Sequence, residues 1–374
     1  MTLSIVSQCD LSAQSNLPKL SGVRSTSIQA HAQRTLDTRA SFLVTLFAAA
    51  IFGLSPHFLF GQASQALWQK EHSKVEKIAQ FTAKEHAAIL FSIEDGALGY
   101  ANGGTVRKLD LKGGSAQCPW PDPEVSHDGR FLAHLSDGGS GGCAIQILEL
   151  ATGREWTLAE LQFAPPGVSW SWDDSEIAFF DLRSPLPSIQ AVSLRGGSVR
   201  VLVPQSQLRI DETSSGVRFR LDDRFSLQWS HSGREMLVDF SRDEPTQQAN
   251  VYSAYPMVVR IDLANGNSIF ELGDGEGAVV SPLADRIAWY RGNKIVAANI
   301  DGSDRQVLTG APRWLGIFSG DFKGPLVWAP DGNRMFFGVW ESETCKDDVY
   351  LLSADTRHAK RFLRGTCITI LSWR

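Results

Sequence analysis

Short apolar runs, broken by Gly, Asp, Ser and Pro, alternate along the chain from about residue 87 onward. Runs this short, bounded by turn residues, read as strands rather than amphipathic helices. The stretch "LQWSHSGREMLVDF" (227–240) shows the unit: an apolar strand ending in Trp-Ser, a polar turn closing on Gly233, and a second apolar strand. The unit returns as "PEVSHDGRFLAHLS" from Pro123, "VSWSWDDSEIAFFD" from Val168, "AVVSPLADRIAWYR" from Ala278 and "LVWAPDGNRMFFGV" from Leu326. Its markers Ser126, Ser171, Ser230, Ser281 and Ala329 are 45, 59, 51 and 48 residues apart, at or just above the period of four-stranded propeller blades. Gly129, Gly233 and Gly332 sit where a tight hairpin needs positive φ.

A second hairpin follows each marker by about 20 residues: "IQILELATGREWTL", "IQAVSLRGGSVRVLV", "VVRIDLANGNSIFEL", "IVAANIDGSDRQVLT" and "VYLLSADTRHAKRFL". Its strands meet at Gly153, Gly197, Gly266 and Gly302, with Asp355-Thr356 in the last copy. Each unit therefore contains four antiparallel strands, a to d. Near the start, "AAILFSI" from Ala87 supplies a strand b and "TVRKLDLKGG" (105–114) a second hairpin, with no strand a before them. The final "ITILSWR" matches strand a, with Trp373 falling 45 residues after Trp328. The predicted fold is all-β: a six-bladed β-propeller whose C-terminal strand closes the first blade.

Residues 41–61, "SFLVTLFAAAIFGLSPHFLFG", carry no Asp, Glu, Lys or Arg, and about 20 apolar residues suffice for a helix to cross the hydrocarbon core. Arg24, Arg34 and Arg39 precede this stretch and Lys70 is the first charge after it, which places the N-terminus on the cytoplasmic side and exports the remainder. Two readings stand: an uncleaved transmembrane anchor, or a signal segment cleaved after "SQA" at Ser64–Ala66. The expected layout is a disordered cytoplasmic tail (1–40), the anchor or signal (41–61), a linker (62–80) and the propeller (81–374). The 374 residues, 43% apolar, can fill a large core, and a net charge of −5 with scattered Lys and Arg lacks the basic stripe of a nucleic-acid binder.

The marker turns resemble the WD40-like (PD40) repeat of the TolB family, whose blades place a Ser-Pro-Asp-Gly turn between a Trp-ended strand and an apolar one. "WAPDGNRMFF" (328–337) matches best, "SPLADRIAWY" and "SWDDSEIAFF" are degenerate copies, and the similarity spans roughly residues 80–374. The resemblance implies the propeller strongly and an activity weakly, because related propellers serve as periplasmic scaffolds and as domains of peptidases.

Candidate chemistry is sparse. "GGSGG" (138–142) fits a nucleophile pattern only as a string, since it lies in a loop between strands and not at a strand-turn-helix elbow. His127 and His231 occupy the a–b turn and read as structural; Asp173-Asp174, Asp222-Asp223 and Asp347-Asp348 read as solvated turns. No catalytic residue, metal ligand or cofactor motif is assigned. Strand direction puts the b–c and d–a loops at one end of the ring, and Cys118, Cys143, Cys345 and Cys367 all fall there. Export to an oxidising compartment then suggests the disulfides Cys118–Cys143 and Cys345–Cys367. The long d–a connection 205–224 and the b–c loop 241–256 share that end, and Arg218, Arg220, Tyr252 and Tyr255 offer anchors for a partner. The expected function is a membrane-anchored or secreted cell-envelope scaffold, periplasmic or outside, that binds a protein, peptide or polysaccharide. The alternative is a lyase- or lactonase-type propeller enzyme with a metal in the central channel.

Overall fold

The computed structural model describes residue 66 and residues 68–93, 97–111, 123–139, 142–165, 167–181, 188–204, 206–208, 218–221, 226–245, 252–283, 286–310, 322–339 and 347–374. The apolar segment 41–61 lies outside them; among the described residues no helix is long and apolar enough to cross a membrane.

Six antiparallel sheets follow one another along the chain. Blade one begins with β1 (Ala88–Ile93), β2 (Ala97–Asn102) and β3 (Thr105–Leu109). Blade two is β4 (Glu124–Val125), β5 (Phe131–Asp137), β6 (Cys143–Glu149) and β7 (Glu155–Leu161). Blade three is β8 (Val168–Trp170), β9 (Glu176–Asp181), β10 (Ser188–Ser193) and β11 (Arg200–Val203). Blade four is β12 (Arg218–Leu221), β13 (Leu227–Trp229), β14 (Glu235–Pro245), β15 (Tyr252–Asp262) and β16 (Ser268–Asp274). Blade five is β17 (Glu276–Val280), β18 (Arg286–Arg291), β19 (Lys294–Asn299) and β20 (Gln306–Gly310); blade six is β21 (Phe322–Trp328), β22 (Arg334–Val339), β23 (Asp347–Ser353) and β24 (His358–Thr366). The last strand, β25 (Ile368–Trp373), pairs with β1, with Ile89 opposite Trp373 and Ile93 opposite Ile368. The ring closes as the repeat predicts.

The marker serine has a physical role in the turns of blades two, three and four. Ser126, Ser230 and Ser281 are fully buried and Ser171 nearly so. Ser126 Oγ accepts from the amides of Arg130 (3.1 Å) and Phe131 (2.9 Å), and Ser171 and Ser230 Oγ accept from Glu176 (2.9 Å) and Glu235 (3.0 Å). The hydroxyl thus satisfies donors that the reversing chain leaves unpaired. Gly129, Gly233 and Gly332 take positive φ, and Asp174 takes that position in blade three at φ 56°. The Trp that ends strand a ties neighbouring blades in two places: Trp170 Nε1 donates to Glu124 O of blade two (3.0 Å), and Trp328 Nε1 to Val279 O of blade five (3.4 Å).

Three features depart from the expectation. Part of the segment read as a linker is helix α1 (His72–Glu85), whose Val75 and Ile78 are buried in one cluster with Ile89, Phe336, Ile370 and Trp373. Its Phe81 meets Phe336, Phe362 and Trp373 edge-on at centroid distances of 5.6, 5.1 and 5.3 Å. Buried Glu71, just ahead of it, accepts from Thr366 Oγ1 (2.7 Å), and Lys74 Nζ donates to Gly365 O (2.7 Å). The helix therefore bridges the first and last blades where the ring closes. Second, 241–256 is not simply a loop: β14 and β15 run on as an 11-residue hairpin with unbroken pairing from Glu235–Asp262 to Pro245–Tyr252. Third, part of the 205–224 connection forms β12, which pairs with the far half of β14 while β13 pairs with the near half. Together these make an arm on blade four.

Candidate functional site

At the a–b end of the channel, the residue after the marker supplies a row of rings from three consecutive blades. The rings of His127 and Trp172 lie 4.5 Å apart, and those of Trp172 and His231 3.8 Å apart, edge-on. Asp174 holds the row: its Oδ1 accepts from the His127 amide (2.8 Å) and lies 3.0 Å from His127 Nδ1, while Oδ2 accepts from the Asp128 amide (2.9 Å). Burial pushes the Asp174 carboxyl up, but these bonds outweigh it and hold the carboxyl below its ordinary value. Asp174 is thus no solvated turn residue; its side chain is only 10% exposed.

Deeper in the channel wall, Glu124 accepts from the Trp170 amide (3.3 Å). That amide is on the free edge of an inner strand, because the next one, Ser171 N, points back to Glu176 O of strand b. Ser169 Oγ does the same for Trp229 N one blade on (2.9 Å). Burial raises the Glu124 carboxyl to about 8 against the opposing pull of Arg374. Arg374 donates to Ser126 O (3.1 Å) and Val125 O (2.9 Å), joining blade one to blade two.

The other end carries the arm, and the four residues expected to anchor a partner come together there in backbone register. Arg218 pairs with Asp243, Arg220 with Ser241, Tyr255 with Arg242 and Tyr252 with Pro245. Of the four, Tyr255 is 44% exposed.

At the base of the arm lies a group that sequence reasoning missed. Asp239 on β14 is 2% exposed. Its Oδ2 accepts from Ser226 Oγ (2.8 Å) and, across to blade five, from the Gly277 amide (2.7 Å). Burial lifts its carboxyl to about 7, against the pull of these bonds. Asp239 Oδ1 has no hydrogen-bond partner among the described residues, and neither has the Tyr290 hydroxyl. Gly277 (φ 68°) separates the two: a Cβ there would stand 3.2 Å from the Tyr290 ring. The available signal was "GDGEG" (273–277), whose three glycines all take positive φ and lead into a β-bulge between Glu276 and Val279.

Cys143 and Cys367 are each disulfide-bonded; Cys118 and Cys345 lie outside the described residues, as do Asp222, Asp223 and part of "GGSGG". Asp347 and Asp348, read as a solvated turn, are buried in β23, and Asp348 accepts from Arg361 (3.0 Å) and the Gly365 amide (2.9 Å). Among the described residues no three His, Cys, Asp or Glu side chains converge as metal ligands would.

No family model matches the chain, and no curated protein matches it by sequence. Solved structures do. TolB from Acinetobacter baumannii superposes with a TM-score of 0.52 at 16% identity, over 76% of this chain. The fold is that of a TolB-like six-bladed propeller. The match spans 66%, just under two thirds, of the Acinetobacter protein's length. A TolB structure from Agrobacterium tumefaciens (16% identity, TM-score 0.47, 77% of this chain and 92% of that one) and oligogalacturonate lyase from Vibrio parahaemolyticus (13%, 0.47, 74% and 72%) share the architecture at greater distance.

Proposed function

We propose that this TolB-like propeller is an exported cell-envelope scaffold, anchored or released through residues 41–61, that captures a protein, peptide or polysaccharide partner at the arm-bearing end of its ring. The observation that carries this reading is the arm. The paired central strands of blade four each run 11 residues, against six or seven in the other blades, so the hairpin overhangs the ring by roughly 15 Å at about 3.3 Å per residue. A hairpin that runs on past its blade in a closed scaffold suits recognition. The oxidised state of Cys143 and Cys367 suits an exported domain, and the pairs Cys118–Cys143 and Cys345–Cys367 would brace loops at the same end. The metal-enzyme alternative finds no ligand cluster among the described residues to support it.

The test is affinity capture from crosslinked envelopes with the full chain and with a variant in which residues 242–255 are replaced by Asn-Gly. Loss of a reproducible partner from the variant, at unchanged unfolding temperature, is expected. Equal capture by both proteins refutes the arm as the binding element.

A further inference from the structure

Helix α1 fixes where the chain enters the ring. Ahead of its first turn, buried Glu71 accepts from Thr366 Oγ1 (2.7 Å), and Lys74 Nζ donates to Glu71 Oε1 (3.0 Å) and Gly365 O (2.7 Å). Gly365 and Thr366 end β24, at the d–a connection into the closing strand. At the other terminus, Glu85 pairs with Arg334 (2.9 Å), the first residue of β22, at the a–b turn of blade six. The Gly104 amide, in the c–d turn of blade one, donates to Thr82 Oγ1 (3.2 Å). The helix thus runs the height of the blades, about 21 Å at about 1.5 Å per residue, from the b–c and d–a end to the a–b end. The arm of blade four leaves from the end where the helix begins, because strand b runs toward the b–c loop. Just before the helix, Trp68 already packs on the core, its ring stacked on Phe91 at 6.0 Å and 24°. By residue 68 the chain is seated at the arm-bearing end of the ring.

We propose that the arm-bearing end of the ring faces the lipid headgroups of the membrane, held there by a short tether. The proposal rests on the anchored form of the function above; residues 41–61 enter it through their sequence alone. Six residues, 62–67, separate Gly61 from Trp68, and at full extension they span about 20 Å. To turn the a–b end toward the bilayer, the tether would have to run back along the whole helix, about 21 Å, before reaching that end. It is too short to do so with the ring outside the bilayer. The arm is on blade four, three blades on from blade one, so it stands across the ring from the tether. Its overhang of roughly 15 Å is close to the tether's reach, which lets both sides of the ring meet the surface at similar heights. Tyr255, 44% exposed on the arm, has the amphipathic ring that is favoured at headgroup level. Whatever the arm captures is then confined to the membrane surface.

The test uses the full chain in vesicles of phosphatidylethanolamine and phosphatidylglycerol that carry a fluorescence acceptor on their headgroups. The donor is attached at Tyr255→p-azidophenylalanine on the arm or at Asn265→p-azidophenylalanine in the c–d turn of the same blade, both exposed positions and roughly 23 Å apart along β15. Energy transfer at least two-fold more efficient from 255 than from 265 is expected. A flexible insert of about twenty Gly and Ser residues after Gln62, whose coil spans about 25 Å, should bring the two toward equality. Equal transfer with the native tether, stronger transfer from 265, or a difference untouched by the insert overturns the proposal. The intact mass of the chain recovered from cell membranes completes the test: cleavage after Ala66 removes the tether and overturns the proposal, while capture by the arm is judged separately by the 242–255 replacement. An uncleaved chain with equal transfer sinks the orientation and leaves the anchored scaffold standing.

Discussion

Replacing Phe81 by Ala tests whether helix α1 is a working part of the ring closure. Phe81 reaches three rings on three strands: Phe336 on β22, Phe362 on β24 and Trp373 on β25. Removing a buried Phe costs about 3–5 kcal/mol, and Phe81 is half-buried, so about 3 kcal/mol is expected. The three edge-on contacts account for much of it, at about 0.5–1.5 kcal/mol each. If the ring unfolds as one unit of this size, each kcal/mol lowers Tm by about 2–4 °C, giving a fall of about 6–12 °C in calorimetry. A double-mutant cycle with Phe336→Ala should return a coupling of about 1 kcal/mol. A control, Glu85→Gln, removes the partly exposed pair with Arg334 at 2.9 Å and should cost no more than about 1 kcal/mol. If Phe81→Ala costs as little as the control, the helix merely rests on the propeller and the closure is held by the β1–β25 ladder alone.

Three other outcomes follow from single groups. Asp239 binds its proton more tightly folded, near pH 7, than unfolded, near the ordinary Asp value; its contribution is fully present below about pH 4 and is lost as pH rises to about 7, on the order of 4 kcal/mol. Asp239→Asn should flatten that part of the stability–pH curve, and an unchanged curve refutes the assignment. Ser230→Ala strips the fully buried hydroxyl that accepts the Glu235 amide and should cost about 1–2 kcal/mol in denaturant titration, whereas Ser232→Ala in the exposed part of the turn should cost less. Non-reducing peptide mapping should recover Cys118–Cys143 and Cys345–Cys367, each closing a loop that contributes about 3 kcal/mol by chain entropy; a free thiol at Cys143, or its recovery with any other partner, would refute the pairing.

The ring was legible because its turns obey local rules. A buried Ser capping the chain reversal, a positive-φ residue after it and a Trp facing the neighbouring blade each leave a mark at a fixed place in the repeat. Helix α1 left little mark: its core stripe is Val75, Ile78, Phe81 and Thr82 amid Lys, Gln and Glu, and Glu71 makes no side-chain cap to its first turn. The stripe is decided by the blades it packs on, and tertiary contacts of that kind have no local signature. The arm was hidden for a different reason. "SRDEP" (241–245) has loop composition, yet the pairing of β14 with β15 continues through it as strand, and a ladder of backbone bonds is indifferent to side-chain polarity when both faces are outside the core. Asp239 sits between Val238 and Phe240 in an apolar strand, and only the three-dimensional approach of Gly277 distinguishes it from a misplaced polar residue.

Polar side chains around the propeller's axis divide by whether their hydrogen bonds are complete. An inner strand is the edge of its sheet, and its outward amides must find acceptors. Glu124 and Ser169 supply them for Trp170 and Trp229, and Arg374 answers two carbonyls in the same region. Asp174 fixes the turn of the blade before it, and Asp348 is taken up by its own blade. Each of these would attract notice as a charged residue near a channel or between blades, but each is accounted for by the backbone it serves. The same reasoning applied to the opposite end gives a different result: Asp239 serves Ser226 and the Gly277 amide with one oxygen, while the other has no hydrogen-bond partner among the described residues. The raised carboxyl of Glu124 and the raised carboxyl of Asp239 therefore have different meanings. The first is an acid desolvated by closing a ring, the second an acid desolvated where blade four meets blade five, at the foot of the arm.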